Sequence, residues 1–325
     1  MAIKKLFAGA VSNGIDISAL REIKILQELH HVNILNLQGV FSHKRNIYLV
    51  FDVMEFNLDD LIRRGQLPAD VAMAYFKMML EGLAYLHAGF VVHRDLKPDN
   101  CLIGKDGILR ISDFGLSRSF GSPGKNFSPD VITLWYRPPE MLFGCQRYSS
   151  AVDMWSMGCI MWQLFTNAIL FAGETEMDQL CRIVEKLGGV DVSRWEEPVT
   201  IPMNYADLGG GIRDDTVTPA WTSTLSPQLV PIFMACLVYD PAGRLSAAAA
   251  LQAPALVSAP TSSVEALKQY TRSMGMGSEG EGEGNGGNGG NGQEARVSER
   301  LKRLLAEEDE MEVSPIKRAL FTGLD

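Results

Sequence analysis

Basic residues are too few for this chain to read as a general nucleic-acid binder. Its 30 Lys and Arg stand against 39 Asp and Glu, a net charge of −9, where such proteins usually carry a basic excess. Cysteine is sparse as well. Cys101, Cys145, Cys159, Cys181 and Cys236 are scattered without paired metal-ligand spacing, and read as reduced thiols of a cytosolic or nuclear protein. No apolar run reaches the ~20 residues that cross a bilayer. The opening Met1-Ala-Ile-Lys-Lys-Leu-Phe is too short in apolar length for a signal peptide. Residues 274–292 (MGMGSEGEGEGNGGNGGNG) hold nothing to bury and are expected to be a flexible linker.

What is present is a β-rich start followed by helices. Residues 2–7 read as a strand. Leu20, Ile23, Leu26 and Leu29 recur at helical spacing within a helix over about 16–30, and two strands follow near Leu37–Phe41 and Ile47–Phe51. A long amphipathic helix is expected over Ala69–Ala88, begun by Pro68 and ended near Gly89. Ala151–Phe165 is apolar nearly all round and predicts a buried central helix. Further helices are expected near Glu176–Leu187, Pro227–Val238 and Ser246–Leu251. Composition breaks after about Ala259. In the tail, Val297, Leu301, Leu304 and Leu305 share one face of a short helix, and Ile316-Lys317-Arg318-Ala319-Leu320-Phe321 stands near the end. The tail reads either as disordered or as a docking segment that folds on a partner.

Chemistry concentrates in His93-Arg94-Asp95-Leu96-Lys97-Pro98-Asp99-Asn100 and, thirteen residues after Asn100, Asp113-Phe114-Gly115. Phosphoryl transfer needs a group to orient a hydroxyl, a cation to offset phosphate charge, and oxygen ligands for Mg²⁺. Asp95 fits the first role and Lys97 the second. Asn100 and Asp113 supply a neutral and a charged oxygen of the kind a hard cation prefers. Lys4, on the first strand, and Glu22, on the first helix, form the further pair in which an ammonium holds nucleotide phosphates and a carboxylate fixes the ammonium. The two loop motifs in this order match the known catalytic-loop and metal-loop signature of protein kinases.

The chain resembles a eukaryotic protein kinase of the cyclin-dependent family over residues 2 to about 255. The likeness is carried by Ser18-Ala19-Leu20-Arg21-Glu22-Ile23, by Asp113-Phe114-Gly115-Leu116-Ser117-Arg118, and by Val131-Ile132-Thr133-Leu134-Trp135-Tyr136-Arg137 followed by Pro138-Pro139-Glu140. Within the family it is similar to the CDK-activating, TFIIH-associated type. That likeness rests on residues 20–29, Ser119-Phe120-Gly121-Ser122-Pro123 and the basic-apolar C-terminus. Leu134 is more like the cell-cycle members, which keeps that subtype open.

The resemblance implies an α+β, two-lobed protein-kinase fold, with a truncated N-terminal β-lobe and a mainly helical C-terminal lobe. Its parts would be a partial N-lobe over 1–53, a C-lobe over 54–257, a Gly/Glu/Asn-rich linker over 258–292 and a tail over 293–325. It implies ATP and Mg²⁺ as cofactors. Phe51 would be the gatekeeper, Asp52, Val53 and Met54 the hinge, and Leu102 the floor beneath the base. Thr133 would tie the activation segment to Asp95 and Lys97. Ser128, with Ser122 as a second candidate, would be the phosphosite, and Arg21, Arg94 and Arg118 would converge on the phosphate. Glu140 and Arg244 would form a buried ion pair; Asp153 and Trp155 would anchor the central helix.

A cyclin is the expected partner, with an assembly factor and TFIIH beside it. Expected substrates are Ser/Thr-Pro sites in other cyclin-dependent kinases or in the RNA polymerase II C-terminal repeats. The expected address is the nucleus, with the cytoplasm as a second; neither direct nucleic-acid binding nor a membrane is expected. One family feature is missing: no Gly-rich phosphate loop precedes Lys4. The expectation is an incomplete version of a longer active kinase. The alternative is a chain weak in ATP binding that serves as a binding module for a cyclin or assembly factor.

Overall fold

A three-stranded antiparallel sheet and one helix begin the fold. The computed structural model describes residues 1–6, 17–43, 46–114, 118–119, 134–145, 149–190, 217–259 and 261–276. Strands β1 (Ala2–Leu6), β2 (Leu37–His43) and β3 (Asn46–Phe51) are ordered β1-β3-β2, with Lys4 opposite Leu49. Helix α1 (Ile17–Glu28) buries Ile23 and Leu26, and Leu29 is buried just past its end. The pattern follows from apolar residues three apart, which fall on one face. Gatekeeper candidate Phe51 ends β3 and is buried.

After β4 (Phe56–Asn57), helices dominate. Asn57 caps α2 (Leu58–Arg63) by accepting a hydrogen bond from the Asp60 amide. Helix α3 spans Ala69–Ala88, the range expected; Pro68 stands at its cap and Gly89 at its end. Strand β5 (Val91–Val92) pairs with β8 (Arg118–Ser119), and β6 (Cys101–Ile103) pairs with β4 and with β7 (Leu109–Ile111). The β6–β7 hairpin matters for function because Asn100 enters it and Ser112-Asp113 leave it.

Helix α4 (Pro139–Leu142) precedes α5 (Ala151–Thr166), which is buried from Ala151 to Leu164 and closed by Asn167 in the left-handed region. Thr175 caps α6 (Glu176–Leu187), and Gly188 at φ 85° ends it. Helix α7 (Val230–Cys236) is shorter than the expected 227–238, and α8 (Ala247–Leu251) is capped by Ser246. The α+β class holds, with a small N-terminal sheet followed by a mainly helical part.

One expectation is corrected. After α9 (Pro254–Ser258), part of the expected 258–292 linker is helix α10 (Val264–Met276), and the compact unit runs from Ala2 to Gly277. Of the second unit, Met1 and residues 278–325, only Met1 is described. The helix holds because Leu267 and Thr271, four apart on one face, are buried, and Ser263 accepts from the Ala266 amide at its start. Leu267 packs on the β6–β7 turn at Gly107. A Cβ there would come within 2.5 Å of the Lys268 nitrogen, and Gly107 sits at φ +74°. Gly107→Ala is therefore expected to cost at least about 1–2 kcal/mol from backbone strain alone, read as a lower urea midpoint; an unchanged midpoint would contradict the contact.

Candidate active site

The loop from His93 to Asn100 hangs from one buried carboxylate. Asp153, on α5, is fully buried. Its Oδ2 accepts from the His93 amide at 2.9 Å, and its Oδ1 accepts from the Arg94 amide at 2.8 Å. His87 Nε2 lies 2.9 Å from Oδ2. These bonds hold Arg94 at φ 74°, an unusual conformation for a non-glycine residue. Burial works against the charge of Asp153. The hydrogen bond from His87, the imidazoles of His87 and His93 and the Arg94 amide outweigh it, holding the carboxyl below its ordinary range.

A depressed folded pKa contributes stability that is present above the unfolded value of about 4 and lost as pH falls through the folded value. Asp153→Asn is expected to be less stable than the wild type at pH 7, and the difference should shrink as the pH is taken below about 4. Denaturant midpoints at pH 7 and in acid test this; a gap independent of pH would contradict it.

His93 links the two motifs. Its Nδ1 accepts from the Asp95 amide at 3.3 Å, so its Nε2 carries the proton and donates to the Ser112 carbonyl at 2.8 Å. Its ring meets Phe114 edge-on, 5.2 Å between centroids. Ser112 is tied in turn to Asn100, whose carbonyl accepts from the Ser112 amide at 2.8 Å and from its hydroxyl at 3.0 Å. One imidazole and one serine thus fix the spacing between the segment ending at Asn100 and the one beginning at Asp113.

The three oxygen-bearing side chains meet around this frame. Asp95 Oδ2 accepts from Lys97 Nζ at 2.9 Å and from Asn100 Nδ2 at 3.1 Å, and Asn100 Nδ2 also donates to the Asp95 carbonyl at 2.7 Å. An amide whose nitrogen faces Asp95 presents its oxygen on the other side. Asp113, at φ 62°, accepts from Lys4 Nζ at 2.8 Å. Asn100, Asp113 and Lys4 all line a cleft of about 510 Å³. Phe51, Asp52, Met54 and Leu102 line the same cleft. Asp95 and Lys97 stand beside Asn100 outside its lining, and Val53 is exposed. Among the described residues no three His, Cys, Asp or Glu side chains cluster as a metal cage. Asn100 with Asp113 fits an ion that takes the rest of its oxygens from phosphate and water, as Mg²⁺ does.

Other expected residues are placed unevenly. Arg21 and Glu22 lie on α1 and Arg118 on β8, but their side chains are outside the described residues, as are Ser122, Ser128 and Thr133 entirely. Arg137 donates to Glu176 Oε1 at 2.6 Å; residues 131–133 are not described. Glu140 and Arg244 pair through the two terminal guanidinium nitrogens, each at 2.6 Å, and are buried.

Comparison with known proteins accounts for this frame. Residues 1–256 match the protein kinase domain family. Cyclin-dependent kinase 7 of Dictyostelium discoideum is 41% identical over 267 residues, which cover 79% of this chain and 72% of that protein. The chain belongs to the protein kinase family, in its cyclin-dependent branch. Cyclin-dependent kinase 7 of Xenopus laevis is 39% identical over 288 residues (83% of this chain, 80% of that protein). Cyclin-dependent kinase D-1 of Arabidopsis thaliana is 39% identical over 267 residues (80% of this chain), and the chain spans 65% of that relative's length. The family fold is that of a serine/threonine protein kinase, and a protein kinase domain works with ATP and a divalent metal. No helix among the described residues is long and apolar enough to cross a membrane.

Several residues of this candidate site escaped the reading of the sequence. His87 and Ser112 carry no motif of their own and act only through partners distant in sequence. Phe56, Asn57 and Asp60 line the cleft. Asn57 had a readable signal, a capping residue directly before Leu58-Asp59-Asp60.

Proposed function

We propose that this kinase transfers the γ-phosphoryl group of ATP, with Mg²⁺, to a serine or threonine followed by proline. The observation that carries the reading is the meeting of Lys4, Asn100 and Asp113 in one cleft while Asp95 is held against Asn100 and Lys97. In this reading Lys4 exchanges its contact with Asp113 for nucleotide phosphates. Asn100 and Asp113 would hold the metal, which would supply charge neutralisation at the phosphates. Asp95 orients the attacking hydroxyl and accepts its proton, and Lys97 offsets charge on the group in transfer. Thr133 links this arrangement to the activation segment.

Phe51, Asp52, Met54 and Leu102 would hold the adenine. Proline selection would come from a backbone carbonyl near Val131-Ile132 turned toward Arg137. A substrate amide then finds no acceptor, at a cost of about 1–3 kcal/mol, and proline, having no N–H, escapes it. A cyclin would bind at α1 and set Glu22 toward Lys4. Phosphate on Ser128, with Ser122 as the second site, would draw together Arg21, Arg94 and Arg118. The relatives, named as cyclin-dependent kinases, support regulation of this chain by a cyclin. An assembly factor, TFIIH and a nuclear address complete the proposal. Its substrates are other cyclin-dependent kinases or the polymerase II repeats.

The test is transfer from labelled ATP to Ser-Pro and matched Ser-Ala peptides by the purified protein with a cyclin. Transfer to the first and not the second supports the reading. Cyclin binding with neither transfer nor ATP affinity would instead show a non-catalytic binding module.

A further inference from the structure

Helix α10 reaches the nucleotide cleft through a single arginine. Arg64 follows α2, and its guanidinium carbon lies 4.8 Å from the centre of the Phe56 ring. Its Nη1 donates to the Met274 carbonyl at 2.7 Å. Met274 is in the last turn of α10, where helix carbonyls lack an intrahelical donor and the helix dipole favours a cation. One guanidinium therefore satisfies a helix end and covers an aromatic face. The ring it covers belongs to the cleft: Phe56 lines it beside Met54 and Asn57, and pairs with Ile103, next to the floor residue Leu102.

The other end of this connection is anchored independently. Ser262 Oγ donates to Asp70 Oδ2 at 2.6 Å, and its amide donates to the Asp70 carbonyl at 3.2 Å. Leu267 is fully buried on the Gly107 turn. Helix α10 is thus fixed on α3 and on the β6–β7 hairpin before its last turn meets Arg64.

We propose that Arg64 is a positioning residue for the nucleotide cleft, held by the end of α10 and holding Phe56 in the cleft wall, so that docking of α10 tightens nucleotide binding. This rests on the reading of the cleft as a nucleotide site. The interaction is made at the wall of the cleft, so it acts on binding and leaves the chemical step alone.

The experiment compares the full chain with Arg64→Ala, Arg64→Lys and Leu267→Glu, using a fluorescent ADP analogue for affinity and ATP for turnover. Arg64→Ala is expected to weaken nucleotide binding about three-fold, the scale of one exposed cation–aromatic contact. KM for ATP should rise in proportion with kcat unchanged. Arg64→Lys should recover most of the loss, and Leu267→Glu should reproduce it. Adding Arg64→Ala to Leu267→Glu should bring no further loss. Amide hydrogen exchange over residues 54–63, measured without nucleotide, should quicken in Arg64→Ala and Leu267→Glu. Unchanged exchange and affinity in Arg64→Ala would overturn the inference, as would a loss confined to kcat. If the intact chain bound no nucleotide, the cleft assignment and this role would fall together. The exchange measurement would still report whether α10 holds Phe56.

Discussion

Asp95→Asn is expected to lower kcat about 10²–10⁴-fold, the usual contribution of a positioned acid–base group, with nucleotide affinity unchanged. The substitution keeps the size of the side chain but removes the charge that accepts from Lys97 and Asn100. Asn100 retains its second bond, to the Asp95 backbone carbonyl, so its place beside the cleft should persist. Asp95 is outside the cleft lining, which is why binding and turnover should separate. Single-turnover transfer to a Ser-Pro peptide, alongside nucleotide titration, checks the prediction. A parallel loss of both would mean that Asp95 works by supporting the cleft, and full activity would remove it from the mechanism.

Arg244→Met is expected to destabilise the protein by about 3–5 kcal/mol, the cost of breaking a buried pair from one side. That is a large share of the roughly 5–15 kcal/mol that holds a typical domain together. Besides both Glu140 oxygens, Arg244 donates to the carbonyls of Val238, Ala151 and Tyr239, and its guanidinium lies 5.0 Å from the Trp155 ring centre. Methionine fills the volume but leaves a buried carboxylate and three carbonyls without this donor. Glu140→Gln should cost less, because the amide oxygen can still accept and Arg244 keeps its carbonyl partners. Chemical denaturation of both variants gives the order; equal stabilities, or Glu140→Gln the weaker, would contradict the account.

These residues show which parts of the molecule were legible in the sequence. The grouping of Asp95, Lys97, Asn100 and Asp113 could be read because each expected role demands one residue type at a fixed offset. Helices α3 and α6 could be read because Pro68, Gly89, Thr175 and Gly188 mark their ends. Asp153 was readable as an anchor. Its partner His87 was not, since that bond joins residues 66 apart. Helix α10 was hidden by composition: its buried face amounts to little more than Leu267 and Thr271, beside a glycine-rich stretch, and averaging erases so narrow a face. The Ser263 cap was its one local signal. The cleft wall at Phe56 was hidden because its support comes from Arg64 and the far end of that helix.

The central claim is that Asn100 and Asp113 hold a divalent ion against nucleotide phosphates in the cleft that Lys4 lines. Titration of the intact protein with ATP, with and without Mg²⁺, against the same pair of titrations for Asp113→Asn tests it most directly. The account predicts tighter binding with Mg²⁺ in the wild type and loss of that dependence in the variant. Mg²⁺-independent affinity in the wild type, or an identical Mg²⁺ response in Asp113→Asn, would contradict it.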